Sequence, residues 1–150
     1  MDKKMNGHLT AISRKGPSAP LKIFLKNRLF SPTSSIIDYG CGQGADVRAL
    51  NSTGFTAVGY DPHWAPDVEL SASDYITCTY VFNVIPEGQR EKTLQKIKGL
   101  LKKGGRAYIT VRRDFSKDYA TGKGSQFNVT LNLPTVFKSK GKFETYLLQN

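Results

Sequence analysis

Three glycines and two acidic residues form the part of the sequence best suited to chemistry. These residues are Asp38, Gly40, Gly42, Gly44 and Asp61. Glycines allow a sharp turn between a strand and a helix, and they let a ligand approach the backbone closely. Asp61 follows Gly40 by 21 positions, and an acidic residue about twenty positions after such a loop is placed to bind both hydroxyls of a ribose. The spacing therefore predicts a ligand that contains a nucleoside.

Two ligands compete for this loop. The run from Gly40 to Ala45 satisfies the dinucleotide pattern G-x-G-x-x-A. Asp38, however, would bring a carboxylate near a pyrophosphate, and like charges at close range are costly. S-adenosylmethionine carries an ammonium and a sulfonium group and no phosphate, so a carboxylate favours it. The residues thus favour a methyltransferase, and an NAD-dependent oxidoreductase remains the less favoured alternative.

The apolar runs around this loop predict the elements that position it. Predicted strands cover 35–41, 55–60, 75–85, 106–111, 127–133 and 143–148, and predicted helices cover 21–30, 45–50 and the stretch from Pro86 to Gly104-Gly105. Alternating strands and helices predict an α/β fold with a mostly parallel sheet, helices on both faces and a β-rich C-terminal segment. Ligands of such sheets bind beyond the carboxyl ends of the strands.

Length and charge restrict the class of protein. The 150 residues suit one compact domain, divided into a basic N-terminal arm and helix at 1–34 and a cofactor-binding domain at 35–150. Neither a signal peptide nor a membrane span is visible, and Cys41 and Cys78 predict neither disulfides nor a zinc site. We therefore expect a cytoplasmic protein without a membrane partner. The net charge of +10 indicates a polyanionic partner.

The motif Asp38-x-Gly40-x-Gly42-x-Gly44, with Asp61 closing the next strand, resembles the leading motifs of class I S-adenosylmethionine-dependent methyltransferases. More narrowly, three blocks are similar to the methyltransferase domain of DNA phosphorothioation-associated putative methyltransferases. The blocks are 10–14, 38–48 and 59–66, with a weaker fourth at 80–85. The resemblance implies a Rossmann-like class I methyltransferase fold. About a dozen residues separate Asp61 from the strand at Tyr75, so we expect an abbreviated sheet.

The resemblance also implies roles for individual residues. Asp38 would lie near the methionine amino group of the cofactor, and Asp61 would bind the ribose hydroxyls. The remaining expected cofactor contacts are Tyr39, Gly40, Cys41, Gly42 and Gly44 in the loop, Pro62 and His63 beside the adenosine, Ser73 or Asp74 at the adenine edge, and Asn83 at the methionine carboxylate or the substrate. Arg14 either folds over the pocket to bind an anionic group or belongs to a solvated tail.

The methyl acceptor is predicted from charge and from motifs that are absent. No Asn/Asp-Pro-Pro-aromatic motif follows the Tyr75 strand, and there is no Pro-Cys dipeptide, which counts against the usual amino- and C5-methylating DNA enzymes. No catalytic base is therefore assigned. Nucleic acid leads as the acceptor because of the basic excess, and aromatic residues among lysines in 106–146 could stack exposed bases. Arg112 and Arg113 could contact a substrate phosphate, or pair with Asp114. A catalytically inactive, methyltransferase-like nucleic-acid-binding module is the second alternative, and the oligomeric state is not predicted.

Overall fold

The computed structural model describes residues 15–150. Its helices are α1 (Ala19–Lys26), α2 (Ala45–Ser52) and α3 (Glu87–Gly99). Its strands are β1 (Ser35–Tyr39), β2 (Thr56–Tyr60), β3 (Ser73–Thr79), β4 (Leu101–Arg112), β5 (Tyr119–Thr121), β6 (Gly124–Gln126), β7 (Thr135–Ser139) and β8 (Phe143–Gln149), with a 3-10 turn at Phe82–Val84.

Six of the strands form one sheet in the order β2-β1-β3-β4-β8-β7. The first four are mutually parallel, whereas β8 runs antiparallel to both β4 and β7. The carboxyl ends of the parallel strands, at Tyr39, Tyr60, Thr79 and Arg112, therefore meet along one side of the sheet, which we call the ligand edge. The predicted α/β architecture, with a β-rich C-terminal segment, is confirmed.

Each face of the sheet has its own apolar core. On one face, Phe24 of α1 and Leu50 of α2 are buried with Ile36 of β1. On the other face, Ile97 of α3 is buried with Ile37 of β1. The two isoleucines are adjacent in sequence and point to opposite faces, as the alternation of a strand requires. Helices thus cover both faces, as predicted. No helix among residues 15–150 is long and apolar enough to cross a membrane.

The start of α1 is fastened to the start of α2. Ser18 caps α1, because its hydroxyl accepts a hydrogen bond from the backbone N–H of Leu21 at 3.3 Å. The carboxylate of Asp46, in the first turn of α2, accepts two bonds from Ser18, one from the backbone N–H and one from the hydroxyl, each at 2.7 Å. Asp46 is 7% exposed, so both bonds are shielded from water. We call this pair of bonds the Ser18–Asp46 clasp.

The structure corrects four predicted elements. The helix predicted over 21–30 ends at Lys26, and the strand predicted over 75–85 ends at Thr79, because Arg28 and Tyr80 take positive φ angles. The helix predicted to end at Gly104-Gly105 ends at Gly99, and β4 begins at Leu101. Gly104 instead bonds through its N–H to the carbonyl of Asn150 at 2.9 Å. The strand predicted over 127–133 is an irregular segment.

Candidate cofactor site

The glycine loop connects β1 to α2 at the ligand edge. The N–H groups of Gly40 and Cys41 both donate to the carbonyl of Tyr60 on β2, at 2.7 and 2.9 Å. Gly40 has a φ of +86°, and a Cβ placed on it would lie 2.3 Å from Cγ2 of Val81. A side chain at Gly40 is therefore excluded both by the backbone conformation and by the residue that follows β3.

Asp61 closes the other side of this loop. Its Oδ2 accepts a hydrogen bond from the N–H of Gly42 at 3.0 Å. Its Oδ1 accepts from the N–H groups of His63 and Trp64 at 2.9 and 3.1 Å. The carboxylate thus ties the glycine loop to the turn that contains Pro62 and His63. The structure brings together the loop and the acidic residue that the spacing predicted to be neighbours.

Asp38 lies at the end of β1, just beneath the loop. It is 4% exposed, and its Oδ1 accepts a bond from the hydroxyl of Thr77 on β3 at 3.0 Å. Burial, followed by the nearby charges of Asp38 and Asp61, raises the pKa of the Cys41 thiol to about 12. The ring of Tyr39 packs against that of Tyr60, tilted by 36° with 5.2 Å between centroids. Burial, followed by repulsion from Tyr60, raises the pKa of Tyr39 to about 12.

The distribution of carboxylates fits S-adenosylmethionine better than a dinucleotide. A pyrophosphate in this fold class sits at the N-terminus of the helix after the glycine loop. In this chain that helix is α2, whose first turn holds the buried carboxylate of Asp46, while Asp38 and Asp61 flank the loop on either side. A phosphate there would be repelled by the charges of Asp38 and Asp46, whereas an ammonium or sulfonium group would be stabilised. No group of three or more His, Cys, Asp or Glu among the described residues could hold a metal ion.

Ser73 and Asp74 do not belong to this site, and their predicted place at the adenine edge is wrong. They begin β3, so they lie at its amino end, on the side of the sheet opposite the ligand edge. The Oδ2 of Asp74 accepts bonds from the N–H and the hydroxyl of Ser35, at 2.9 and 3.0 Å. Its Oδ1 lies 3.5 Å from Nζ of Lys102. Asp74 therefore anchors the first residue of β1.

Asn83 is also corrected, because its side chain is fully buried. Its Nδ2 donates to the carbonyl of Phe127 at 2.9 Å, and its Oδ1 accepts from the N–H of Arg112 at 2.8 Å. The amide is thus used to join three backbone segments, and it offers no surface to a ligand. Arg14, the other residue expected near the pocket, lies outside the described residues.

Sequence reasoning missed the corner that follows β3. Tyr80 has a φ of +63°, which is strained for a residue with a side chain, and its N–H donates to the carbonyl of Thr110 at 2.9 Å. This turn directs Val81 against Gly40. Trp64, 45% exposed, lies beside His63, and its N–H donates to Oδ1 of Asp61 at 3.1 Å. Both positions fall within the blocks of the resemblance, 59–66 and 80–85, but only the fold shows that they lie at the glycine loop.

Arg112 and Arg113 form ion pairs at the end of β4. The guanidinium of Arg112 binds both carboxylate oxygens of Asp114, at 2.9 and 2.7 Å, so of the two alternatives for Arg112 the structure shows the pairing with Asp114. Arg113 instead binds Glu144 at 3.0 Å and the hydroxyl of Tyr146 at 2.8 Å. Both guanidinium groups are thus paired with carboxylates of the chain, so we expect other cations to contact a substrate phosphate.

Comparisons with known proteins agree with this geometry. The family model described as a methyltransferase domain matches residues 12–136. No curated protein sequence matches the chain significantly.

Three solved structures illustrate the shared fold. A TehB-like S-adenosylmethionine-dependent methyltransferase from Corynebacterium glutamicum has a TM-score of 0.58 at 18% identity, over 83% of this chain and 84% of its own. The 1,6-didemethyltoxoflavin-N1-methyltransferase of Burkholderia thailandensis, with bound 1,6-didemethyltoxoflavin and S-adenosylhomocysteine, has a TM-score of 0.59 at 17% identity, over 88% and 78%. A third structure comes from a study of the conversion of a disulfide bond into a thioacetal group during echinomycin biosynthesis. It has a TM-score of 0.54 at 16% identity, and the match covers 63% of this chain. The present chain spans about half the length of that protein, 51%.

The fold is that of class I methyltransferases, and the family match assigns the chain a methyltransferase domain. The match over 125 of the 150 residues, from 12 to 136, shows the family. The chain belongs to the methyltransferase-domain family.

Proposed function

We propose that the chain transfers the methyl group of S-adenosylmethionine to a nucleic acid. The observation that carries this proposal is an unequal distribution of charge about the cofactor site. Residues 49–89 contain five acidic residues and neither lysine nor arginine, whereas residues 90–150 contain fourteen basic and four acidic residues. The acidic stretch includes β2 and β3, and the basic stretch includes β4, β7 and β8.

The strand order separates these two stretches in space. Strand β2 forms one edge of the sheet and β7 forms the other, so the acidic and the basic stretches lie toward opposite edges. A cofactor bound between Asp38 and Asp61 would have the basic strands on its other side, beyond the corner at Tyr80. An acceptor that approaches from that side meets an excess of positive charge, which attracts a phosphate backbone and not a cationic or neutral substrate.

The residues of the site supply binding and orientation. When bound, S-adenosylmethionine supplies the methyl group on a sulfonium, which is already a good leaving group. Holding the acceptor in line with that group at attack distance can therefore provide much of the catalysis. In this proposal Asp61 holds the ribose hydroxyls, Asp38 faces the ammonium group and the glycine loop forms the floor. No acidic or basic group is assigned the role of removing a proton from the acceptor.

Calorimetric titration tests the cofactor part of the proposal. Asp61→Ala should weaken S-adenosylhomocysteine binding by about 10- to 150-fold, because it removes hydrogen bonds to a charged group worth about 1.5–3 kcal/mol. Asp74→Ala is the matched control, since it removes an identical side chain from the opposite side of the sheet, and it should leave the affinity unchanged. Equal affinities in wild type and Asp61→Ala, or binding of NAD in place of the sulfur ligand, would overturn the assignment.

Transfer of a labelled methyl group tests the acceptor. Purified protein with the labelled cofactor should label DNA or RNA and leave protein pools unlabelled. The resemblance to phosphorothioation-associated methyltransferases makes DNA the first pool to test. Labelling of protein alone would show that the methyl acceptor is a protein and not a nucleic acid. Cofactor binding without transfer to any pool would instead favour the inactive binding module.

A further inference from the structure

Strands β5 and β6 form a small hairpin apart from the main sheet. All three residues of β5 are exposed, and the hairpin buries little apolar surface. A two-stranded hairpin of this kind is marginally stable in water unless something holds it. The contacts that hold it therefore show what fixes its orientation at the ligand edge.

Arg112, the last residue of β4, fastens both strands of the hairpin. Its Nη1 donates to the hydroxyl of Tyr119 on β5 and to Oε1 of Gln126 on β6, each at 3.3 Å. These two residues face each other in the strand register. The guanidinium also lies 5.0 Å from the ring centroid of Phe115, which in turn meets the Tyr119 ring edge-on at 5.0 Å. The base of the hairpin is thus fixed by polar and cation–π contacts.

A second set of contacts connects the hairpin to the corner after β3. Phe127, directly after β6, donates its N–H to the carbonyl of Asn83 at 2.7 Å and accepts from the Asn83 amide at 2.9 Å. Asn83 lies two residues after Val81, the residue that abuts Gly40. A continuous set of contacts therefore runs from the glycine loop, through the corner after β3, to the base of the hairpin.

The hairpin and the residues just before it carry two lysines, one open aromatic ring and one acidic residue, Asp118, whose Oδ1 accepts from the N–H of Asn128 at 2.8 Å. Lys117 precedes β5 and Lys123 lies in the turn between the strands, and both are exposed. Tyr119 is 38% exposed although its hydroxyl is held by Arg112. Lys142 is also exposed near this end of the sheet, where its carbonyl accepts from the N–H of Arg113 at 2.8 Å. Both arginines are paired with carboxylates, so we assign the phosphate contacts to lysines.

We propose that this hairpin binds the acceptor as single-stranded nucleic acid. Lys117 and Lys123 contact phosphates, and the ring of Tyr119 stacks an unpaired base. A stacking ring requires a base that is not already paired and stacked in a duplex, and such stacking contributes about 1–3 kcal/mol per base. The proposal rests on the proposed function, since it names the element through which a nucleic-acid acceptor is held.

Fluorescence anisotropy with a labelled single-stranded DNA oligonucleotide tests the hairpin. The double variant Lys117→Ala/Lys123→Ala should lower the slope of log affinity against log salt by about 1.4, because each phosphate contact on a single strand contributes about 0.7. Lys96→Ala/Lys98→Ala is the control, since it removes the same charge from exposed positions of α3. Tyr119→Ala should weaken binding by about 5- to 150-fold, and Tyr119→Phe should recover most of that loss because it keeps the ring.

The outcomes of these measurements distinguish the hairpin proposal from the proposed function on which it rests. Wild type that binds the oligonucleotide, with hairpin and control variants equally affected, would refute the hairpin and leave the nucleic-acid acceptor standing. Tighter binding of a duplex of equal length would refute the preference for a single strand. No binding of DNA or RNA at low salt would overturn both proposals. Each variant should retain wild-type affinity for S-adenosylhomocysteine, which checks that the fold and the cofactor loop are intact.

Discussion

Replacing Gly40 by alanine should damage the cofactor loop for two separable reasons. The φ of +86° is unfavourable for a residue with a side chain, at a cost of about 1–2 kcal/mol. The new Cβ would also lie 2.3 Å from Cγ2 of Val81, and such overpacking typically costs about 1–3 kcal/mol. We therefore expect Gly40→Ala to lower the free energy of unfolding by about 2–5 kcal/mol.

A double-mutant cycle with Val81→Ala separates these costs. That substitution removes Cγ2 and also Cγ1, which lies 3.5 Å from the added atom, and it leaves only Cβ at 3.4 Å, an ordinary contact. In the Val81→Ala background, Gly40→Ala should therefore cost only the backbone part, about 1–2 kcal/mol. The double variant should be more stable than additivity predicts by about 1–3 kcal/mol.

Urea unfolding followed by circular dichroism measures all four proteins of the cycle. Gly54→Ala is a matched control, because Gly54 has a φ of +100° with nothing within 4 Å of its added Cβ. It should show the backbone cost alone, with or without Val81→Ala. Titration with S-adenosylhomocysteine adds the functional measurement, in which Gly40→Ala should weaken binding more than Gly54→Ala. An equal cost of Gly40→Ala in both backgrounds would refute the close approach of Val81 to the loop.

Two further predictions concern ionisable groups. Hydrogen bonds from the backbone and side chain of Ser35 lower the pKa of Asp74, so its stabilising effect is complete above the ordinary carboxyl pKa of about 3.9 and is lost as the pH falls through the lower folded-state value. The difference in unfolding free energy between wild type and Asp74→Asn should shrink between pH 7 and pH 2, and a difference independent of pH would contradict this. Since the pKa of Cys41 is raised to about 12, its thiol should stay protonated at pH 8, and iodoacetamide should label it about 100-fold or more slowly in the native than in the urea-unfolded protein, measured by peptide mass spectrometry. Equal labelling rates would show that Cys41 is open to solvent as a thiolate.

The parts of the site that the sequence predicted are those encoded by local patterns. The turn at Gly40 and the acidic residue at Asp61 belong to two consecutive strand ends, and parallel strands of adjacent units bring such ends together. The choice of ligand also followed from the type of one residue, because the charge of Asp38 disfavours a phosphate whatever the surrounding packing. These inferences needed only chain order and the chemistry of side chains.

The errors arose at residues whose place or conformation is decided by tertiary packing and not by the local sequence. Asp74 is close in sequence to a strand of the site, but it begins that strand, so the length of β3 separates it from the ligand edge. Asn83 has a side chain that could bind a ligand, and only its burial against Phe127 shows that it does not. Gly104 resembled a helix stop, yet its positive φ of +80° lies within β4. Each outcome depends on tertiary packing, which overrides local propensity.

The Ser18–Asp46 clasp couples the local stability of the first helix to that of the cofactor loop. One shielded carboxylate holds the residue that starts α1 and belongs to the turn that starts α2. Opening either helix start breaks the same two bonds, so the local unfolding of one is coupled to that of the other. Whatever lowers the free energy of the closed loop also protects α1, and by reciprocity whatever holds α1 in place favours the loop that receives the cofactor.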